Sequence, residues 1–217
     1  MLAGIGLATV AWEVAGPETL DGQCLGISSK LWFVSALITA ILHQAYVWIM
    51  WRSELCWSWV SRHASFPLYR IGFFILFLAR FGTVIPLAIA DTGTLAAPSI
   101  ITWLIAFVLF IPAAWTFYSV VRYFGFIRAT GADHFEPEYR IKPFVREGVF
   151  KYIPNAMYSF GMLLFAAIAM AAASKAALII SVYFYIYAWV HYLCTERPDM
   201  TVIYGNELDK LSKGRPE

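Results

Sequence analysis

Charge is what this sequence has least of. Only 14% of its 217 residues are charged, while 60% are hydrophobic. A soluble domain of this length carries about 25% charged residues. So few charges cannot clothe an apolar core in a polar surface, which excludes a water-soluble globular protein. The formal net charge of +2 says little by itself, and no nucleic-acid partner is expected. Cysteine is also scarce. Cys24, Cys56 and Cys194 lie far apart, with no C-x-x-C and no Cys/His group at metal-ligand spacing. That excludes a disulfide framework and a structural zinc, and no metal is expected. Internal repeats and low-complexity stretches are absent as well. The start, Met1 to Ala15, has no basic n-region and contains Glu13, so it is a poor signal peptide. It is also short for a membrane span and reads as an interfacial or re-entrant segment.

Long uncharged runs are what the sequence has instead. A helix needs about 20 apolar residues to cross the hydrocarbon layer. Leu31 to Trp51, Pro98 to Val121, Asn155 to Ala173 and Ala176 to Cys194 carry no charge, and Phe66 to Ala90 carries only Arg70 and Arg80. Lipid leaves backbone amides no outside partner, so each run is expected to be helical. The fold class is therefore all-α, a bundle of about five spans forming one integral membrane domain over 1–217. Only Ser174 and Lys175 separate the last two runs, which predicts a tight C-terminal two-helix hairpin.

The positive charges are segregated. One side holds Arg52, Arg62, Arg122, Arg128, Arg140, Lys142, Arg146, Lys151 and the tail residues Arg197, Lys210, Lys213 and Arg215, whereas the other holds Lys30 and Lys175. The positive-inside rule then puts the N-terminus outside and the C-terminus in the cytoplasm. Trp48, Trp51, Trp57 and Trp59 cluster near one span end, as an interfacial aromatic belt does. Arg80 falls mid-span, where an unpaired charge is costly. It is expected to face the bundle interior with His43 or Gln44 as polar partner. Arg70 lies near the cytoplasmic end, placed either to snorkel or to hold a lipid phosphate. The connection from Arg122 to Pro154 is too polar to span and too aromatic for a plain linker, and a connection of such length is usually functional.

Three stretches then resemble, in order, a known family. They are VVRYFGFIRATGADHF from Val120 to Phe135, REGVFKYIPNAMYSFG from Arg146 to Gly161, and CTERPDMTVIYG from Cys194 to Gly205. They are similar to segments of the membrane-embedded S-adenosylmethionine-dependent methyltransferases. That group includes the phosphatidylethanolamine N-methyltransferases and the isoprenylcysteine carboxyl methyltransferases. The N-A-M-Y run at Asn155 to Tyr158 stands closer to the phospholipid branch, which has N-P-M-Y. There are departures: Arg122 replaces an Asp, Ala156 a Pro, and Arg197 the second Glu of an E-E pair. The resemblance covers about the last 100 residues, dividing the chain into N-terminal spans, 1–121, and a cofactor-binding core, 122–217.

The resemblance implies S-adenosylmethionine as cofactor and a membrane-embedded lipid or amphiphile as methyl acceptor. Glu196 becomes the partner of the cofactor's ammonium and Arg197 of its carboxylate. Asn155, Met157 and Tyr158 form one edge of the site, and Tyr123, Phe124 and Phe150 wall the adenine. Gly125, Gly148 and Gly161 allow close backbone approach. His191 is the candidate base, with Glu196 beside it as the second catalytic residue, and Arg70 and Arg80 are candidate substrate contacts. Each has a plainer reading. Glu196 can be a solvated helix end, Asn155 a cap, the aromatic residues surface anchors, and His191 a packed member of the stripe with Tyr183 and Tyr187. Phosphatidylethanolamine or a partly methylated form is the first-choice acceptor, with an isoprenylcysteine carboxylate, a small thiol or another amphiphile as alternatives. A non-catalytic membrane subunit or a transporter-like protein is the reading from another class. The oligomeric state is left open.

Overall fold

A computed structural model describes residues 1–16 and 20–205. Lys210, Lys213 and Arg215 of the basic tail lie outside the described residues. Helix α1 (Leu2–Ala15) leads to a two-stranded hairpin, β1 (Gln23–Cys24) against β2 (Ile27–Ser28), and then to α2 (Ser29–Trp57). A short α3 (Trp59–His63) turns the chain into α4 (Phe66–Ala90). Helix α5 (Ser99–Ser119) runs into a π-helical turn at Val120–Phe124. The polar connection holds three one-turn helices, α6 (Phe126–Ala129), α7 (Ala132–Phe135) and α8 (Pro137–Arg140). A second π turn, Met157–Gly161, opens α9 (Leu163–Ala171). Helix α10 (Lys175–His191) passes through a third, Tyr192–Glu196, into α11 (Arg197–Tyr204).

Four stretches are long and apolar enough to cross a membrane: Ser29–Trp57, Phe66–Ala90, Ser99–Phe124 and Lys175–Tyr204. The remaining expected span is the shorter apolar helix Met157–Ala171, roughly 22 Å long at 1.5 Å per residue. The helix starts are written in side chains. Ser28, Ser65 and Ser174 accept hydrogen bonds from the backbone N–H of Leu31, Leu68 and Ala177, as N-caps do. Pro67 sits in the first turn of α4, where its missing N–H costs nothing.

The main core lies where α1, α2, α4, α9 and α10 meet. Phe33, Leu87, Ile180 and Phe184 fill it, and Ala36, Ala40, Ala88, Ala169 and Ala177 let the helices close on one another. Helix α5 packs on α9 through Thr102, Ala106, Ala113 and Thr116 and turns Trp103, Leu104, Phe107 and Val108 outward. An apolar outer face suits a chain whose surroundings are lipid.

The two bundle ends differ. At one, the β-hairpin and the α9–α10 joint close the structure around Asp91. Its carboxylate accepts from Ser174 Oγ and from Ala176 N, both at 2.8 Å, and from Thr94 Oγ1 at 2.7 Å. The opposite, basic end carries the polar connection and α11. Helix α1 is part of the bundle. It packs along α10, with the carbonyl of Gly4 accepting from Tyr183 at 3.4 Å and Trp12 beside Phe33 at 6.1 Å. Of the expected aromatic belt, Trp48, Trp57 and Trp59 are exposed but Trp51 is not: it is 5% exposed. It is committed instead to the basic-end core, stacked on His134 at 3.9 Å and donating through Nε1 to Tyr69 at 2.9 Å.

Candidate functional site

The basic end is organised by π-helical turns. Each inserts one extra residue into its helix, and such turns recur at functional sites. The turn at Met157–Gly161 and that at Tyr192–Glu196 lie at the open end of the α9–α10 hairpin. They bring Tyr158 and Glu196 together: the Tyr158 hydroxyl donates a hydrogen bond to Glu196 Oε2. Tyr192 and Trp189 pack around the Tyr158 ring, at 5.2 and 6.2 Å between centroids. The asparagine before the turn, Asn155, accepts from the N–H of Tyr158 and of Ser159 through its carbonyl, both at 3.0 Å, and so starts the helix.

A separate group gathers Phe124, Phe150 and Met157. Phe150 is buried with Val120, Val149 and Ala156, and Phe124 and Met157 pack against them. The Phe124 and Phe150 rings lie 5.2 Å apart. Gly148 is required here. Its φ is +58°, and a Cβ would come within 2.5 Å of Ser119 Oγ and 2.9 Å of Tyr123. That Ser119 hydroxyl is in use, accepting from Val149 N at 3.1 Å. Gly161 is buried near Thr116, where a Cβ would make only ordinary contact.

Beside this group opens a cavity of about 690 Å³, between the π turn at Val120–Phe124 and the stretch 142–147. Tyr123, Phe124 and Gly125 line it, as does Phe144 across from them. Gly125 ends the π turn at φ 88°, ψ 134°, a left-sided backbone that turns the chain along the cavity. Arg128, Lys142, Arg146 and Glu147 supply the charge. These four and Phe144 are not among the site residues expected from the sequence. The alternation of cations with rings from Tyr139 to Phe150 was the available signal. Arg128 is fixed, donating to the carbonyl of Pro143 at 2.8 Å and lying 3.5 Å from Asp133 Oδ1.

A buried polar lattice joins this end to α2 and α4. Asp199 is fully buried and meets Arg52 at 3.0 Å and His134 at 3.3 Å. Tyr69 donates to the carbonyl of Thr130 at 2.8 Å, and Tyr204 donates to Asp133 at 2.7 Å. Three residues before Asp199 stands Glu196, so the lattice fixes the element that presents it.

The other expected site residues are scattered. His191 is buried at the end of α10 with its ring 5.5 Å from Trp51. Arg197 is exposed and forms no ion pair with Glu196. Arg70 lies at the basic end of α4 over the Phe66 ring at 5.1 Å. Arg80 is buried in the bundle interior as expected, but it does not hydrogen-bond His43. Its charge lies 4.9 Å from the Phe184 ring, and Nε, Nη2 and both His43 nitrogens are without partners.

An apolar-faced helical bundle with a polar basic end defines an integral membrane protein. Residues 101–207 match the model of the phospholipid methyltransferase family, and this half of the chain belongs to that family. The protein is thus a membrane methyltransferase acting on lipid-like substrates, in a family that generally uses S-adenosylmethionine. No curated protein and no solved structure matches the chain.

Proposed function

We propose that the protein transfers a methyl group from S-adenosylmethionine to the amine of a membrane phospholipid, phosphatidylethanolamine or a partly methylated form. The observation that carries this is the meeting of Tyr158 and Glu196 across the hairpin, inside the same family-matched segment whose residues line the aromatic, charged cavity. The residues suit the cofactor. A volume of about 690 Å³ lies within the usual range for small-molecule sites, about 300–1,000 Å³. Tyr123, Phe124 and Phe144 offer flat faces for an adenine. Lys142 and Arg146 offer donors for a carboxylate, and Glu196 or Glu147 an anion for the ammonium. When bound, the cofactor supplies an electrophilic methyl group on a sulfonium.

The chain's own work is then positioning and exclusion of water, because the sulfur leaves neutral and little charge develops on it. Tyr158 holds one oxygen of Glu196 and leaves the other for the ligand. His191, buried against Trp51, is the proposed acceptor for the proton that the amine must shed. Arg70, at the basic end of α4, is placed to hold the lipid phosphate. The excess of Lys and Arg at this end supports its assignment to the cytoplasm, where the soluble cofactor is found.

The test is a lipid extract incubated with purified protein and methyl-labelled S-adenosylmethionine. Label is expected in phosphatidyl-N-methylethanolamine or its further methylated products. Label appearing instead in a prenylated cysteine ester or a small thioether would sink the phospholipid assignment.

A further inference from the structure

Arg80 and His43 form the most anomalous pair in the bundle. They are 4% and 6% exposed. Nε and Nη2 of Arg80 and both ring nitrogens of His43 are buried with no hydrogen-bond partner. Polar atoms so placed in an apolar interior are costly unless something satisfies them. The Phe184 face, 4.9 Å from the guanidinium, balances charge but accepts none of its N–H bonds. The two residues come from different helices, α4 and α2, which pack against each other. Their surroundings are aromatic. Phe73 sits edge-on to His43 at 4.9 Å, and Phe81 stacks on Phe165 at 4.6 Å where α4 meets α9.

We propose that Arg80 and His43 are an internal receptor for a singly charged phosphate diester, the headgroup phosphate of a membrane lipid. A planar guanidinium with Nε and Nη2 free along one edge matches the paired oxygens of such an anion. One cation and one monoanion leave the interior neutral. His43 adds a further hydrogen bond from the opposite helix. The phenylalanine walls accept the apolar part of the molecule, with the Phe81–Phe165 contact as the seam through which it enters from the bilayer. The proposal rests on the lipid-acceptor reading and specifies the part of the acceptor that does not react. Arg70, at the basic end of α4, then meets the headgroup at the rim, and the Arg80–His43 pair holds its phosphate inside.

The experiment uses the full chain in a neutral maltoside detergent and short-chain phosphatidylglycerol, which has a phosphate diester but no amine to methylate. Calorimetry is expected to show saturable binding, at least tenfold tighter than short-chain diacylglycerol. Arg80→Gln is expected to weaken it at least tenfold and His43→Phe several-fold, while S-adenosylhomocysteine binds both variants as it binds the parent. Should Arg80→Gln not fold, His43→Phe carries the comparison. Inorganic phosphate is added as a competitor. Displacement of the lipid at similar concentrations assigns the site to free phosphate, and failure to displace it assigns the site to the headgroup. Diacylglycerol binding as tightly as phosphatidylglycerol, or both variants binding like the parent, would overturn the proposal and leave the pair solvated by internal water. Loss of S-adenosylhomocysteine binding by the parent, with lipid binding retained, would instead overturn the cofactor reading and spare the anion site.

Discussion

Single residues carry the chemistry, and Glu196 is the most exposed to test. Gln keeps its shape and its bond from Tyr158 but removes the charge. A hydrogen bond to a charged group contributes about 1.5–3 kcal/mol, and 1.4 kcal/mol is tenfold in affinity. Glu196→Gln is therefore expected to weaken S-adenosylmethionine binding about 10- to 100-fold by calorimetry. Glu138→Gln, on the exposed turn of α8, is the control and should leave it unchanged. A folded Glu196→Gln protein that binds like the parent would remove the residue from the site. Tyr158→Phe frees the second carboxylate oxygen without touching the charge. It should cost less than Glu196→Gln in binding and more in kcat, because it loosens position rather than attraction. Arg70→Ala is expected to raise KM for phospholipid roughly tenfold, one charge-assisted bond's worth, with cofactor affinity unchanged. Equal loss of both would mean that Arg70 supports the fold, not the substrate.

At the scale of elements, the sequence was most readable where the physics is simplest. Runs without charge became helices, because lipid leaves a backbone no other choice, and Ser174–Lys175 became a tight joint. The π turns were not readable. Each adds one residue to an otherwise uniform apolar pattern, and nothing in Met157–Gly161 or Tyr192–Glu196 marks the extra residue. Trp51 misled because an interfacial tryptophan and a buried one look alike in sequence. Only His134, Tyr69 and Thr130, from distant segments, decide between them. The same limit hid the cavity: Lys142 and Arg146 come from the 142–147 stretch, whose position depends on Arg128 gripping the carbonyl of Pro143. The role of Asp91 also depended on partners far along the chain. Its carboxylate accepts three bonds that close α4 onto the hairpin. Asp91→Ala is expected to destabilise the protein by about 3 kcal/mol or more, since each bond to a carboxylate contributes about 1.5–3 kcal/mol gross of rearrangement. Ser174→Ala should cost about 1 kcal/mol as a lost cap. Thermal unfolding in detergent, followed by tryptophan fluorescence, measures both. An unchanged midpoint for Asp91→Ala would mean that water replaces the carboxylate.

For the whole molecule, the proposed orientation has a direct check. In a cysteine-free background, a single cysteine at Lys142 and another at Ala97 mark opposite ends of the bundle. An impermeant thiol reagent added to intact cells should label the Ala97→Cys protein and reach Lys142→Cys only after lysis. The reverse pattern would invert the protein and put the cavity on the wrong side for a cytosolic cofactor. The Asp91 clasp also bears on how the chain is made. Its partners Ser174 and Ala176 lie 83 and 85 residues further along. At about 5–20 residues per second of translation, the carboxylate waits roughly 4–17 s after synthesis before the hairpin can reach it. During that interval Thr94 is the partner already at hand for the acid. The clasp can therefore close only after about four fifths of the 217 residues have been made.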